Sequence, residues 1–263
     1  MNIYRHIIIA LLALVSFFNL AGEQVNKKLP AVDVKDVRIE NLRGKVIIQG
    51  WDQGFVSVEG ELDDKAEGII FEKNGSEIFI KVAMSKHFNN KNWRGGGSNL
   101  TVKMPKALRV AFKGVSSDVT VKNINKSSQI KTVSGDINVA DLSGYIALSS
   151  VNGNIYSRNL AGKIELSTIS GDINDQKSAG RLVIITVSGS VSSDSLAKEI
   201  KANCVSGSID LTLASIDQLD MSTVSGEVKA KLLLNASGIV TVSSVSGDIY
   251  LDFLGETNAN FRL

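Results

Sequence analysis

The C-terminal part of the chain repeats one hydrophobic and polar pattern at a nearly fixed interval. Eight five-residue motifs of the type Val-Ser-Gly-Asp-Ile follow one another, with central positions 18, 18, 18, 18, 18, 19 and 21 residues apart. A fixed period of this size is typical of stacked repeat architectures. The central residues are Ser117, Gly135, Gly153, Gly171, Gly189, Gly207, Gly226 and Gly247.

Aliphatic residues recur at fixed distances from each central residue, which predicts strands. They stand seven, five and two residues before it, and two and seven residues after it. Apolar, often β-branched residues two apart, bounded by Gly and Ser, are typical of short strands. We therefore predict an all-β fold, a single-stranded parallel β-helix or β-solenoid with about 18 residues per turn and an aliphatic interior. Around Gly189 the aliphatic positions are Leu182, Ile184, Val187, Val191 and Leu196.

Two further columns of the repeat carry polar residues. Three residues before the centre stand Thr or Ser, with Cys204 in one turn, and strand parity predicts that this column faces inward. Cys204 is therefore expected to be a small buried residue and not a nucleophile. Acidic residues directly after the centre are expected to cap corners; a calcium site is the alternative, although the paired glycines of calcium-binding solenoids are absent. These acidic residues are Asp118, Asp136, Asp172, Glu227 and Asp248.

The remainder of the chain divides into three segments. Arg5 and His6 precede an apolar run over residues 7–18, as in a secretory signal peptide. We predict a signal peptide at 1–21, a linker at 22–31, an N-terminal β-strand region at 32–109 that packs on the solenoid, and solenoid repeats at 110–263. The protein is then exported to the periplasm or cell surface, with no stable membrane span after processing.

The charge and the residue composition argue against nucleic-acid binding and against catalysis. The formal net charge of +2 offers no electrostatic case for nucleic acid. Cys204 is the one cysteine, and His87 is the one histidine after residue 21, so neither a catalytic triad nor a metal-ligand spacing can be assembled. We predict no enzyme, no catalytic residue, no metal and no cofactor.

Two segments are candidates for partner contact. The irregular stretch 85–98 carries basic and aromatic residues that could hold a glycan or anionic polymer, or could simply form a mobile hairpin tip. Val183 and Ile185 make one strand apolar on its outer face, where either a chain segment or a partner would cover them. The residues of the first segment are His87, Phe88, Trp93 and Arg94.

The chain resembles a bacterial family of exported β-strand-repeat proteins labelled "putative adhesins", whose function is largely unknown. The resemblance covers about residues 35–263. It rests on the serial Val-Ser-Gly-Asp-Ile units, on residues 39–44 running into Gly50-Trp51-Asp52, and on residues 100–105. It implies the repeat fold and supplies no catalytic residues. Residues 258–263 begin another strand and then the chain stops, so the last turn either caps the rod or leaves an open edge for a partner, including self-association through the solenoid end.

We therefore expect an exported, non-enzymatic, adhesin-like binding or scaffold protein of the bacterial envelope or surface. Its partner would be an envelope or surface protein or a glycan. The alternatives are a polysaccharide-active enzyme on a β-helix and an envelope-stress accessory protein. Enzymes of the first kind build their sites from long corner loops, and the corners here are short.

Overall fold

The structure is a computed structural model that describes residues 22–85 and 96–255. Over these residues the chain is entirely β, with 18 strands and no helix, so the predicted fold class is confirmed. The predicted signal peptide, the candidate residues His87, Phe88, Trp93 and Arg94, and residues 258–263 lie outside the described residues. The strands are β1 (Gln24–Pro30), β2 (Asp36–Trp51), β3 (Phe55–Glu61), β4 (Ala66–Asn74), β5 (Glu77–Met84), β6 (Ser98–Pro105), β7 (Arg109–Ile124), β8 (Ser128–Lys131), β9 (Ile137–Ser149), β10 (Ile155–Arg158), β11 (Ala161–Ser170), β12 (Ile173–Gln176), β13 (Ala179–Ser188), β14 (Val191–Ser195), β15 (Glu199–Ser206), β16 (Ile209–Ser225), β17 (Val228–Ser246) and β18 (Ile249–Phe253).

The layers stack in parallel register with the period of the sequence. Strand β11 pairs with β13 so that Leu166 lies beside Ile184, and β10 pairs with β12 so that Ile155 lies beside Ile173. Both partners are 18 residues apart. Equivalent side chains therefore form columns along the rod, as the repeat predicts.

The solenoid begins before the first motif. Strand β2 runs parallel to β7, with Gly44 beside Ser117 and Val46 beside Val119, and so forms a complete layer. On its other side β2 pairs in parallel with β5 and β6. Residues 36–51, 77–84 and 98–105, which the sequence pattern assigned to the N-terminal region, thus belong to the stack.

Antiparallel strands cover the N-terminal end of the rod. Strand β4 pairs with β5, and β3 pairs with β6. Strand β1 then pairs with β3, so most of the segment interpreted as a linker, 22–31, forms a strand instead. Strand β1 packs here because its Val25 side chain is buried against the core.

A buried ion pair fastens this cover to the first layers. Arg43 Nη2 lies 2.8 Å from Asp63 Oδ1, and both residues are buried. Burial by itself would raise the pKa of Asp63, but hydrogen bonds from Arg43 and from the Lys65 amide outweigh burial and hold this pKa below its ordinary value. A buried charge of this kind requires its partner, so Arg43 and Asp63 fix how the covering strands sit.

Most of the predicted inward columns are confirmed. The residues seven and five before the centre, and those two after it, fill one continuous core, as Ile164, Leu166 and Ile173 show in one turn. The Thr and Ser column three before the centre also points inward, with Thr168 and Cys204 both buried.

The aliphatic column two before the centre was predicted to face inward, and that prediction was wrong. Val133 is 44% exposed and Val187 41% exposed. The reason is strand parity: if the residues seven, five and three before the centre point inward, the residue two before it must point outward. Hydrophobicity suggested the core here, but the geometry of the strand decided the direction.

The prediction that the residue seven after the centre points inward is correct only in the first turns. There, residues such as Asn159 and Lys177, six after the centre, adopt φ near +60° and turn the next side chain inward. Later turns lack this left-handed residue among the described positions, so the strand continues and Ser195, six after Gly189, is buried instead. Leu196 and Leu233 are consequently 53% and 46% exposed, and Leu254 is exposed too.

Corner glycines are required because successive corners nearly touch. A Cβ on Gly153 would lie 2.0 Å from the carbonyl oxygen of Gly135, and the same distance is between 2.0 and 2.3 Å for the other central glycines. Such a contact is far inside van der Waals range, so any larger residue must push two layers apart. The column therefore reflects close approach, since Gly135, Gly153 and Gly171 occupy it without a positive φ.

Replacing Gly153 with Ala should lower the free energy of unfolding by about 3 kcal/mol, since the methyl group overpacks a backbone contact. Chemical denaturation of the purified protein measures this change. Gly54→Ala is the matched control, because a Cβ at that position would have no atom within 4 Å. Equal, small effects of both substitutions would contradict the close-approach explanation.

Candidate functional site

The two described candidate residues lie on the outer face of β13. Val183 is half-buried and Ile185 is 43% exposed. Within residues 22–85 and 96–255 no segment covers Ile185. This patch is therefore available at the surface of the described structure.

Ile185 adjoins a longer apolar feature, here called the valine ridge. The ridge consists of the outward residue two before the centre in each layer, including the equivalent Leu42 in β2. Backbone hydrogen bonds hold successive ridge positions together, for example from Ser134 N to Val115 O at 2.6 Å and from Asn152 N to Val133 O at 2.8 Å. The ridge thus runs along one corner of the rod, with one residue per layer. Its members are Leu42, Val115, Val133, Val151, Ile169, Val187, Val205, Val224 and Val245.

A polar cleft lies on the outer face of the other strand of each turn, away from the ridge. The register places Tyr156 between Asn138 and Asn174, and Arg158 between Ala140 and Gln176. Ala140 is buried beneath its longer neighbours, which leaves a hollow of about 430 Å³. We call this hollow the Tyr156 cleft. It is lined by Thr120, Lys122, Asn138, Val139, Ala140, Tyr156, Ser157, Arg158, Asn174 and Gln176.

The charge of the Tyr156 cleft is positive. Lys122 and Arg158 are both exposed, and no carboxylate is among the lining residues. Tyr156 presents a ring that is 43% exposed. The cleft therefore combines an apolar platform, amide donors and acceptors, and two cations. The cleft was not predicted from the sequence, although the sequence contains a signal for it: an aromatic residue with an asparagine one period away on each side.

The acidic residues after the centre form a ladder that caps backbone amides. The amide of Asp136 donates to Asp118 Oδ1 at 3.0 Å, and that of Asn154 donates to Asp136 Oδ1 at 2.9 Å. The next two layers continue in the same way, at 2.9 and 2.8 Å. The corner-capping interpretation is therefore confirmed for these turns. In the part of the chain that the structure describes, no group of three or more His, Cys, Asp and Glu residues is arranged to hold a metal ion.

Cys204 occupies the inward hydroxyl column, as expected. Its Sγ lies 3.5 Å from the carbonyl oxygens of Gly189 and Gly207, and Thr168 Oγ1 donates to Gly153 O at 3.1 Å in an equivalent place. Burial raises the pKa of the Cys204 thiol. A buried thiol with a raised pKa is a poor nucleophile.

One buried polar cluster was not predicted. Asp175 lies in an inward column that is apolar in the first and last turns, as at Val121 and Leu211. Its carboxylate accepts hydrogen bonds from Ser157, Ser178 and Ser193 at 2.5, 2.5 and 3.1 Å. Burial raises the pKa of Asp175 above its ordinary value, although these hydroxyl groups oppose the shift. The cluster is enclosed in the solenoid, so it serves packing and not ligand contact.

The fold and its surfaces define a class: a parallel β-solenoid rod with a covered N-terminal end. Residues 34–262 match the family model of DUF4097, the Toastrack domain, and the chain belongs to this family. No curated protein matches the chain. There is no helix in the described residues that is long and apolar enough to cross a membrane.

Solved structures share the fold. A "putative adhesin" from Parabacteroides distasonis is 16% identical, with a TM-score of 0.55 over 88% of this chain and 97% of that one. A second "putative adhesin", from Bacteroides fragilis, is 14% identical, with a TM-score of 0.52 over 87% and 97% of the two chains. At this identity the likeness establishes the fold alone.

Asp136→Ala should lower the free energy of unfolding by about 1 kcal/mol, since the amide of Asn154 loses its acceptor. Asp136→Asn should change it by less than about 0.5 kcal/mol, because the amide oxygen can accept the same bond, as Asn154 itself does in the next layer. Urea unfolding compares the two variants. Equal losses in both would show that charge, and not the hydrogen bond, is what this position supplies.

Asp175→Asn should stabilise the protein at neutral pH. Because the pKa of Asp175 is raised in the folded state, its favourable contribution is complete below the unfolded pKa and is lost as pH rises through the folded pKa. The difference in stability between the variant and the wild type should therefore grow as the pH rises above about 4, the ordinary pKa of an aspartate. Unfolding at a series of pH values measures the difference, with the exposed Asp248→Asn, which does not act on Asp175, as control. A difference that does not change with pH would contradict the assignment.

Proposed function

We propose that this protein is an exported, non-enzymatic binding protein of the bacterial envelope or surface, and that it holds an acidic glycan in the Tyr156 cleft. The N-terminal segment 1–21, with its short apolar run after Arg5, supports export to the periplasm or cell surface. The rod would act as a rigid scaffold that presents the cleft.

The single observation that carries this proposal is the lining of the Tyr156 cleft. A sugar ring offers an apolar face and a rim of hydroxyl groups, and these match an exposed tyrosine ring flanked by Asn138 and Asn174. A carboxylate on the sugar would pair with Arg158 or Lys122, since a guanidinium binds carboxylates in a bidentate manner. An acidic glycan satisfies all of these groups at once, and a neutral one leaves the two cations unpaired.

The lining does not favour catalysis. Glycoside hydrolysis ordinarily needs two carboxyl groups on either side of the scissile bond, and the cleft contains none among its lining residues. Binding without turnover is therefore the activity that this chemistry supports.

Titration of the purified protein with uronate oligosaccharides tests the proposal. Tyr156→Ala and Arg158→Ala should each weaken binding at least about tenfold, because each removes a contact worth roughly 1.4 kcal/mol or more. Tyr250→Ala is the matched control, since Tyr250 is 52% exposed at the equivalent position of the last layer and lies outside the cleft.

Two results would contradict the proposal. One is equal affinity in the wild type and both cleft variants, which would place the glycan elsewhere or leave it unbound. The other is turnover of the uronate polymer, which would favour the alternative of a polysaccharide-active enzyme.

A further inference from the structure

We propose that the valine ridge is an interface between two copies of this chain, which pack antiparallel about a two-fold axis near Ile169. The proposal is independent of glycan binding, because the Tyr156 cleft lies on the other strand of each turn. It rests on the composition, extent, charge and spacing of the ridge.

The ridge position is aliphatic in each of the nine layers from β2 onward although it points outward. Exposure of Val115, Ile169 and Val224 is 42%, 49% and 48%. Strand propensity alone does not explain this, since Thr has a similar preference for strands and occurs at the inward position beside it. The outward column two residues earlier is mostly polar: Lys113, Lys131, Ser149, Ser167, Ile185, Asn203, Ser222 and Ser243.

The ridge is large enough to form part of a stable interface. A free aliphatic side chain exposes on the order of 100 Å². Seven of the nine ridge residues are between 41% and 80% exposed, and Leu42 and Val151 are half-buried. Together they present about 400 Å², which is the size of the largest and often functional patch on a monomer. The adjoining Ser and Asn columns bring the surface toward the ~800 Å² per partner of a standard interface.

Charge favours a second copy and an antiparallel arrangement. The column directly before the centre carries only Ser and Asn, from Ser116 to Ser246, so the ridge has a neutral border. A two-fold interface places a patch against itself, where like charges would repel. Parallel packing would set Lys113 and Lys131 against their own copies. Antiparallel packing sets these two lysines against the uncharged C-terminal part of the same column.

Spacing also selects a second copy. Ridge residues repeat at the layer separation of about 4.8 Å, and only a partner with the same period can match each of them. Ile169 is the fifth of the nine residues, so antiparallel packing with full overlap puts the axis there. Ile185 widens the ridge beside Val187, one layer from the axis, where a central apolar anchor contributes most to binding.

Sedimentation equilibrium of the purified protein is the first test, and a dimer is expected at micromolar concentration. Val187→Glu should raise the dissociation constant at least about 100-fold, because each dimer then buries two charges without partners. Ile47→Glu is the matched control, since Ile47 is an aliphatic residue of the same exposure, 41%, that lies off the ridge. Circular dichroism of both variants checks that the monomer remains folded. A monomeric wild type, or a dimer unaffected by Val187→Glu, would overturn the proposal.

Cysteine cross-linking tests the orientation. In a Cys204→Ser background, which copies the serine found at this column in Ser150, Val133→Cys combined with Val205→Cys should form intermolecular disulfides. Neither single variant should do so, because each residue lies four layers, or about 19 Å, from its own copy, too far for a disulfide. Ile169→Cys alone should cross-link at the axis. Cross-linking of Val133→Cys to itself would indicate parallel packing, and association without ridge cross-links would indicate contact through the solenoid end; either result would overturn the proposal.

Discussion

The close stacking of corner glycines sets the geometry of the rest of the rod. At each central glycine from Gly135 to Gly247 a hypothetical Cβ would lie 2.0 to 2.3 Å from the carbonyl oxygen one layer below, so the backbone there approaches its neighbour very closely. This contact keeps successive layers in parallel register and keeps equivalent side chains in columns. The core columns and the surface columns are straight because this register is the same from layer to layer.

The direction of each column follows from the strand that leads into the corner. Thr168 points inward, and its hydroxyl group donates to the carbonyl oxygen of Gly153. The Cys204 thiol lies in the equivalent place, 3.5 Å from the carbonyl oxygen of Gly189. The next residue must then point outward, which is why Ile169 and Val187 form a ridge on the surface. The corner motif therefore contributes to three different environments: its last aliphatic residue fills the core, its acidic residue caps the next amide, and its first aliphatic residue faces solvent or a partner.

Much of the fold could be predicted from the sequence, because one period repeated over eight turns averages out local exceptions. The inward columns around Ile164 and Ile173, the capping role of Asp136 and the buried place of Cys204 all follow from spacing and parity. The ridge was misassigned because Val187 is hydrophobic, and hydrophobicity alone does not say which face of a strand a residue occupies. Leu196 was misassigned for a different reason. Asn159 has a positive φ and turns Leu160 inward, whereas Ser195 does not, and the spacing of residues in the sequence does not indicate this difference in φ.

The candidate site was harder to predict than the fold. The Tyr156 cleft depends on the relative lengths of Lys122, Ala140 and Arg158, which lie in three different layers and become neighbours only through the stacking register. Asp175 was missed for a related reason, since its partners Ser157 and Ser193 are each one full period away. Sites of this kind are visible only when the columns are followed along the rod.

Thiol labelling of two adjacent residues tests the central claim, that the corner sends one residue inward and the next outward, most directly. Cys204 is 4% exposed and Val205 is 46% exposed. At nanomolar protein concentration, where copies of the chain are apart, a thiol reagent should label the added thiol of Val205→Cys rapidly. The native Cys204 should react only when the protein unfolds. Rapid labelling of Cys204 in the folded protein, or protection of position 205 under the same conditions, would contradict the account.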